Sequence, residues 1–280
     1  MGCGGSREAT PQEQQEICKV MAKEMMILCV DPALDKPEKI QISAPPDFGR
    51  IKERAADLRK RANDASTPRA SADGGGVLGA VKTGVSSVAN LAGQGVAAMF
   101  ATMADTLDAA IAKVEGPFST IASDVVAEKK EEIADVLCSY IITTEVPDAV
   151  AMCRGGGGKI SEFLISQSAE KIAAEMRPKV EEALQRHGGL KAWNAAIENF
   201  NAACIKVPHL SAGIKLDITQ YICQETVRAI GNRVAEEEAA VKQSPEGKAK
   251  LCPQVFAKVF RGKELTHKDY KTIQNNISAK

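Results

Sequence analysis

Val77–Glu115, VLGAVKTGVSSVANLAGQGVAAMFATMADTLDAAIAKVE, is the stretch whose reading decides the fold. Val77, Val81, Val85, Val88, Ala92, Val96, Met99, Met103, Leu107, Ala110 and Val114 recur in steps of three and four, the spacing of one face of an α-helix. Lys82, Ser86, Asn90, Gln94, Asp105 and Asp108 fall mostly on the other faces. No charge occurs from Thr83 to Ala104, and about 20 residues suffice to cross a bilayer. Ser86, Ser87, Asn90, Gln94, Thr102 and several glycines nevertheless make the segment too polar for a convincing span. A core helix is the first expectation, an interfacial helix the second and a membrane span the third.

Moving outward, the same periodicity predicts a helix over 12–30 (Ile17, Val20, Met21, Met25, Leu28, Cys29), ended by a break at Asp31-Pro32. Four prolines predict an extended connector over 31–47. Residues 50–64 give a marginal helix with a narrow stripe of Ile51, Ala55 and Leu58, and 65–76 reads as a flexible linker. After Pro117, one helix is expected over 118–143. The next opens at Ser161 as N-cap, is bent or divided by Pro178, and stops at Gly188-Gly189. Further stripes run Leu190–Cys204, from a capping-box-like Asp217/Gln220 start through Val234, and over 249–260. No strand-like alternation competes. The chain is expected to be all-α, a multi-helix bundle with a flexible N-terminal segment. Composition divides it into 1–76, a helical domain over 77–260 and a polar tail over 261–280.

The 280 residues balance 36 basic against 36 acidic side chains and contain only 4% aromatics. Nucleic-acid recognition wants a basic excess or face, so no nucleic-acid partner is expected. Eight cysteines show no Cys-x-x-Cys spacing and three histidines show no ligand-like arrangement, so neither a metal nor a cofactor is expected. Cys18, Cys29, Cys138, Cys204 and Cys223 fall in apolar runs and read as small hydrophobes.

The N-terminal Met-Gly-Cys-Gly-Gly-Ser fits N-myristoylation of Gly2, with Ser6 in the required place. A lone myristoyl chain holds a membrane only marginally, with an association constant of roughly 10⁴ M⁻¹. Arg7 and Lys19 face Glu8, Glu13 and Glu16 nearby, so no basic patch supplies the second signal. Palmitoylation of Cys3 does. The expected place is the cytoplasmic face of a eukaryotic membrane, either the plasma membrane or that of a flagellum or cilium.

From about Glu145 to Phe260 a series of short segments recurs in a familiar order. It comprises Pro147-Asp148-Ala149, Arg154-Gly155-Gly156, Arg177-Pro178 with Leu184, Ala192-Trp193-Asn194 and Leu216-Asp217-Ile218-Thr219-Gln220-Tyr221. Glu236-Glu237-Glu238, Ser244-Pro245 and Val255–Phe260 complete it. This order resembles the domain of unknown function 4197 family, best known from bacterial exported proteins. The resemblance implies an all-helical body and brings no reaction, cofactor or catalytic set. An acylation signal stands where family members carry an export signal, and the tail 261–280 is additional, so compartment and partners do not transfer.

Candidate chemistry is sparse. Arg154–Ser161 (RGGGGKIS) misses the phosphate-loop pattern, since Cys153 stands at the first-glycine position and Ile160 follows Lys159. A weak anion site at Lys159 and Ser161, on the start of the next helix, remains physically allowed. Three successive glutamates, 236–238, point about 100° apart and read as a solvated face or as ion pairs with Arg233 and Lys242. Asp217 reads as a helix cap and Tyr221 as a core residue; together they are the best functional candidates in the family-like segment. No nucleophile–base pair can be assembled around His187 or His209. The expectation is a non-enzymatic, membrane-anchored interaction or scaffold protein with a protein partner. The rival reading is a binder of lipid or another apolar ligand, and an undiscovered hydrolase centred on Asp217 comes last.

Overall fold

Thr10 and Glu13 open the first helix by satisfying each other's backbone. The Glu13 carboxylate accepts from the Thr10 amide at 2.9 Å, and the Thr10 hydroxyl accepts from the Glu13 amide at 3.2 Å. This capping box pairs two donors that would otherwise be left open at a helix start. The computed structural model describes residues 7–66, 82–186, 188–206 and 213–278, with the backbone alone over 82–94 and at 119 and 142. Among them are eleven α-helices and no strand, with one isolated antiparallel bridge between Glu8 and Thr266. The all-α reading holds.

Helix α1 covers Pro11–Leu34 and runs through Pro32, where the sequence suggested a break. The missing proline donor removes one bond near the helix end, but Ala33 and Leu34 are buried and Asp35 still reaches the Asp31 carbonyl at 2.9 Å. The connector shortens accordingly, to a 3₁₀ turn at Pro37–Lys39 and the irregular residues around it. Helix α2, Asp47–Ser66, is not marginal: Phe48, Ile51, Ala55, Leu58 and Ala62 form a continuous buried face. Beyond Ser66, the expected linker lies outside the described residues.

Helix α3 covers Lys82–Glu115. Its buried residues include Ala97, Phe100, Met103, Ala104, Leu107, Ala110, Ile111 and Val114, so Met103, Leu107, Ala110 and Val114 face inward as expected. Val96 and Met99, expected inward, are 43% and 38% exposed. In a stretch without charges only small polar residues mark the outer face, and they fix its rotation poorly. The single helix expected over 118–143 is two, α4 at Phe118–Glu128 and α5 at Lys130–Thr143, parted at Lys129. Neither glycine nor proline marks that joint.

Helix α6 covers Ala149–Arg154 and α7 covers Lys159–Arg186, undivided by Pro178. Gly188 then takes φ +63°, a left-handed conformation open to glycine, and its amide bonds the Gln185 carbonyl at 2.8 Å. Helices α8 (Gly189–Lys206), α9 (Ile218–Gln243), α10 (Pro253–Phe260) and α11 (His267–Ser278) complete the chain. The last corrects the expectation of a polar tail: Leu265 and Ile273 are each 1% exposed.

Contacts divide the chain into two units that interleave along it. The first comprises Met1–Ile42, Ser119–Val180 and Thr219–Lys280; the second comprises Ser43–Phe118 and Glu181–Ile218. In the first, α1 is central and touches α5, α6, α10 and α11. In the second, α3 packs against α2 and α8. There Arg59 on α2 reaches Asp105 at 2.8 Å and Asp108 at 2.5 Å on α3. Phe48 meets Phe118 edge-on and lies 5.4 Å from Trp193.

Candidate functional site

In the first unit, the glycines between α6 and α7 form a tight turn beneath α9. Gly158 has φ +87°, and a Cβ there would stand 3.0 Å from the Ala235 Cβ. A Cβ on Gly157 would stand 2.7 Å from the Ala239 Cβ, whereas one on Gly156 would meet nothing within 4 Å. The run is therefore shaped by close approach to α9 and not by a phosphate.

Beside those alanines, Glu238 fills the place an anion would take. Its carboxylate accepts from the Ile160 amide at 3.3 Å, the Ser161 amide at 2.8 Å and the Ser161 hydroxyl at 2.6 Å. The start of a helix carries partial positive charge, so a carboxylate is favoured there. Lys242 pairs with Glu238 at 2.8 Å and donates to the carbonyls of Met152, Gly155 and Gly156 at 3.2–3.3 Å, at the negative end of α6. The anion at Ser161 is thus the chain's own. Lys159 pairs instead with Glu162 at 2.8 Å on the surface.

Two earlier expectations change here. The helix opens at Lys159, so Ser161 lies inside its first turn and is not the N-cap. Glu238 is 0% exposed, not part of a solvated face, although Arg233 does pair with Glu236 and Glu237 and Lys242 with Glu238. Burial separates three glutamates that look equivalent in sequence.

The other family-like segments hold the same unit together. Asp148 accepts from the Ala151 amide at 2.9 Å and so caps α6. Gln15 on α1 donates to the carbonyls of Val146 and Pro147 at 3.2 and 3.0 Å. Arg177 donates to the Gln220 side chain at 3.1 Å, joining two of those segments. Asp217 is exposed immediately before α9, and Tyr221 is half-buried within that helix. In the second unit the buried Trp193 donates its indole N–H to the Leu216 carbonyl at 3.3 Å.

Gly2, Cys3, His187 and His209 lie outside the described residues. His267 Nδ1 lies 2.8 Å from Glu13 Oε1 and 2.9 Å from an Arg7 nitrogen. Glu13 is consequently held low, its pKa lowered to about 2 chiefly by the Thr10 amide, against the opposing effect of burial and with help from His267 and Arg7. Among the described residues no group of three or more His, Cys, Asp or Glu is arranged to hold a metal ion.

The second unit carries a cleft of about 580 Å³ between α3 and α8, within the size range of small-molecule sites. Ala98, Met99 and Met103 line one side and Asn199, Ala202 and Ala203 the other. The hydroxyls of Thr102 and Thr106 bond carbonyls of their own helix, which leaves the wall largely apolar. The exposed Val96 and Met99 belong to the same part of α3, and Ile205 at the end of α8 is 86% exposed. Sequence reading missed this cleft because small residues at helical spacing look the same whether they face a neighbour or a gap. By length and composition alone, Gly95–Glu115 could also cross a membrane. One face of it packs against α2 and α8.

A family model described as a protein of unknown function (DUF4197) matches residues 91–260. That span begins inside α3, well before the Glu145 at which the resemblance could be read, and leaves α1, α2 and α11 outside it. No curated protein matches the chain. No solved structure matches it either.

Proposed function

Because the chain belongs to the DUF4197 family of proteins of unknown function, membership supplies no activity, and we propose one from its own residues: a helical interaction or scaffold protein held by acyl chains at the cytoplasmic face of a membrane. The observation that carries this reading is Met1–Ser6, with Gly2 as the myristoyl acceptor and Cys3 as the palmitoyl acceptor. Two chains give lasting attachment where one gives a marginal hold.

The fixing of the next residues supports it. The Ala9 amide bonds the Leu265 carbonyl and the His267 amide bonds the Arg7 carbonyl, both at 2.9 Å. Acyl chains at Gly2 and Cys3 would therefore tether the first unit through a lead on the order of 20 Å at full extension, at about 3.5 Å per residue. The proposed setting is a eukaryotic plasma, flagellar or ciliary membrane, with a protein partner, no nucleic acid and no reaction of its own.

Membrane fractionation of the wild type beside Gly2→Ala and Cys3→Ser tests the proposal. The wild type should sediment with membranes, Gly2→Ala should be released, and Cys3→Ser should be held weakly. If both variants stay bound, the acylation reading fails and segment 83–104 becomes the anchor to examine.

The α3–α8 cleft favours a second reading, binding of a lipid or another apolar ligand by the second unit. Mass spectrometry of solvent extracts would support it if a defined lipid copurifies with the wild type and is lost from Ala202→Trp.

A further inference from the structure

Two buried cysteines far apart in the chain meet where α1 crosses α6. The Cys153 thiol donates to the Cys18 carbonyl oxygen at 3.4 Å, and both side chains are buried. Their positions differ by 135 residues, yet both belong to the first unit. We propose that Cys18 and Cys153 are a redox-active dithiol that closes to a disulfide when the protein meets a peroxide.

The pair differs from the other cysteines. Burial pushes Cys29 up to about 12, and its thiol donates to the Met25 thioether at 3.7 Å. Burial also raises Cys138 and Cys204. Cys18 moves the other way, because the Cys153 thiol donates to its thiolate and Arg154 adds positive charge against the effect of burial, while Cys153 is raised by the same partnership. Cys18 is therefore the attacking sulfur, since the thiolate is the nucleophilic form.

The electron count closes with hydrogen peroxide as oxidant. The Cys18 thiolate attacks one peroxide oxygen, the O–O bond breaks, and hydroxide leaves to take up a proton as water; Cys18 becomes a sulfenic acid. Cys153 sulfur then attacks the Cys18 sulfur, its own proton passes to the departing hydroxyl, and a second water leaves. Two thiols lose two electrons, and one peroxide becomes two waters. At a cytoplasmic face the resting state is the dithiol, so the bond would be transient. With both side chains 0–2% exposed, the reaction waits on local opening and is slow.

The test uses the full chain made in bacteria, unacylated, treated with hydrogen peroxide, then denatured and alkylated. The eight thiols should fall to six, recover with dithiothreitol, and stay at seven in Cys18→Ala of unchanged circular dichroism. Digestion with trypsin should yield the Cys18 peptide joined to the peptide ending at Arg154. That second peptide also contains Cys138, so fragmentation must place the bridge on Cys153. A wild type that keeps all eight thiols, bridges other pairs, or gains oxygen at Cys18 and Cys153 without joining them overturns the proposal.

Discussion

Glu238 and Lys242, one turn apart on α9, pair with each other at 2.8 Å while holding the ends of two other helices, Glu238 the start of α7 and Lys242 the end of α6. Each helix end receives the charge that its dipole favours. Removing one partner would leave the other charged, buried and unpaired, which costs about 3–5 kcal/mol. Glu238→Ala should therefore lower the urea midpoint sharply, followed by circular dichroism. Glu238→Ala combined with Lys242→Met should be less destabilised than the two single changes summed. Additive losses would show that the pair is not coupled.

The glycine turn makes a sharper steric prediction. Gly157→Ala places a methyl 2.7 Å from the Ala239 Cβ, and overpacking of this kind costs about 1–3 kcal/mol. Gly156→Ala, with nothing within 4 Å, should be close to neutral. Ala239→Gly should recover most of the Gly157→Ala loss in a double-mutant cycle. Equal effects at 156 and 157 would refute the close approach.

Glu13 sets a pH dependence of known sign. Its carboxyl is lowered from 4.5 to about 2 in the folded chain, so the contribution is complete above the unfolded value and disappears as pH falls from about 4.5 towards about 2. Wild type should hold a constant advantage over Glu13→Gln at neutral pH and lose it progressively across that acidic window. Urea midpoints of both proteins from pH 7 downward measure it. A difference that stays unchanged through the window would remove Glu13 as its source.

Particular residues show why part of this fold could be read and part could not. The apolar stripes of α1 and α9 stand opposite charged faces, so their periodicity suffices. In α2 two of five inward positions are alanines, Ala55 and Ala62, which hardly raise the apolar signal, and the helix looked marginal. The exclusion of a phosphate loop at 154–161 followed from spacing alone. What Gly157 and Gly158 require instead is set by Ala235 and Ala239, on a helix distant in sequence. Glu238 likewise looks like its two neighbours until the rotation of α9 and the open amides of α7 are known. Nothing in the chain announces the joint at Lys129 or the gap between α3 and α8, because both depend on how distant segments settle against each other.

Helix α11 gives the last test, because composition and structure disagree about it most. Arg261–Lys280 is polar and falls beyond the family match, which ends at 260, yet Ile273 is buried and α11 touches α1. Asp269 binds Lys258 of α10 at 2.8 Å and accepts from the Thr266 amide at 2.9 Å, so α11 is also tied to α10. Burial alone would raise the Asp269 carboxyl, but Lys258 and Thr266 together hold it below its ordinary value. A dispensable tail would tolerate truncation after Gly262 with no change in thermal midpoint. A packed helix would not: truncation would expose α1 where α11 now covers it and release the Arg7–Thr10 segment from Leu265 and His267. Ile273→Ala isolates the packing term and should cost about 2–5 kcal/mol, the range for emptying a buried isoleucine site. Ile277→Ala on the same helix, at a side chain 45% exposed, should cost much less. Thermal denaturation of the three variants beside wild type separates the cases, since similar midpoints for Ile273→Ala and Ile277→Ala would mean that α11 adds no core.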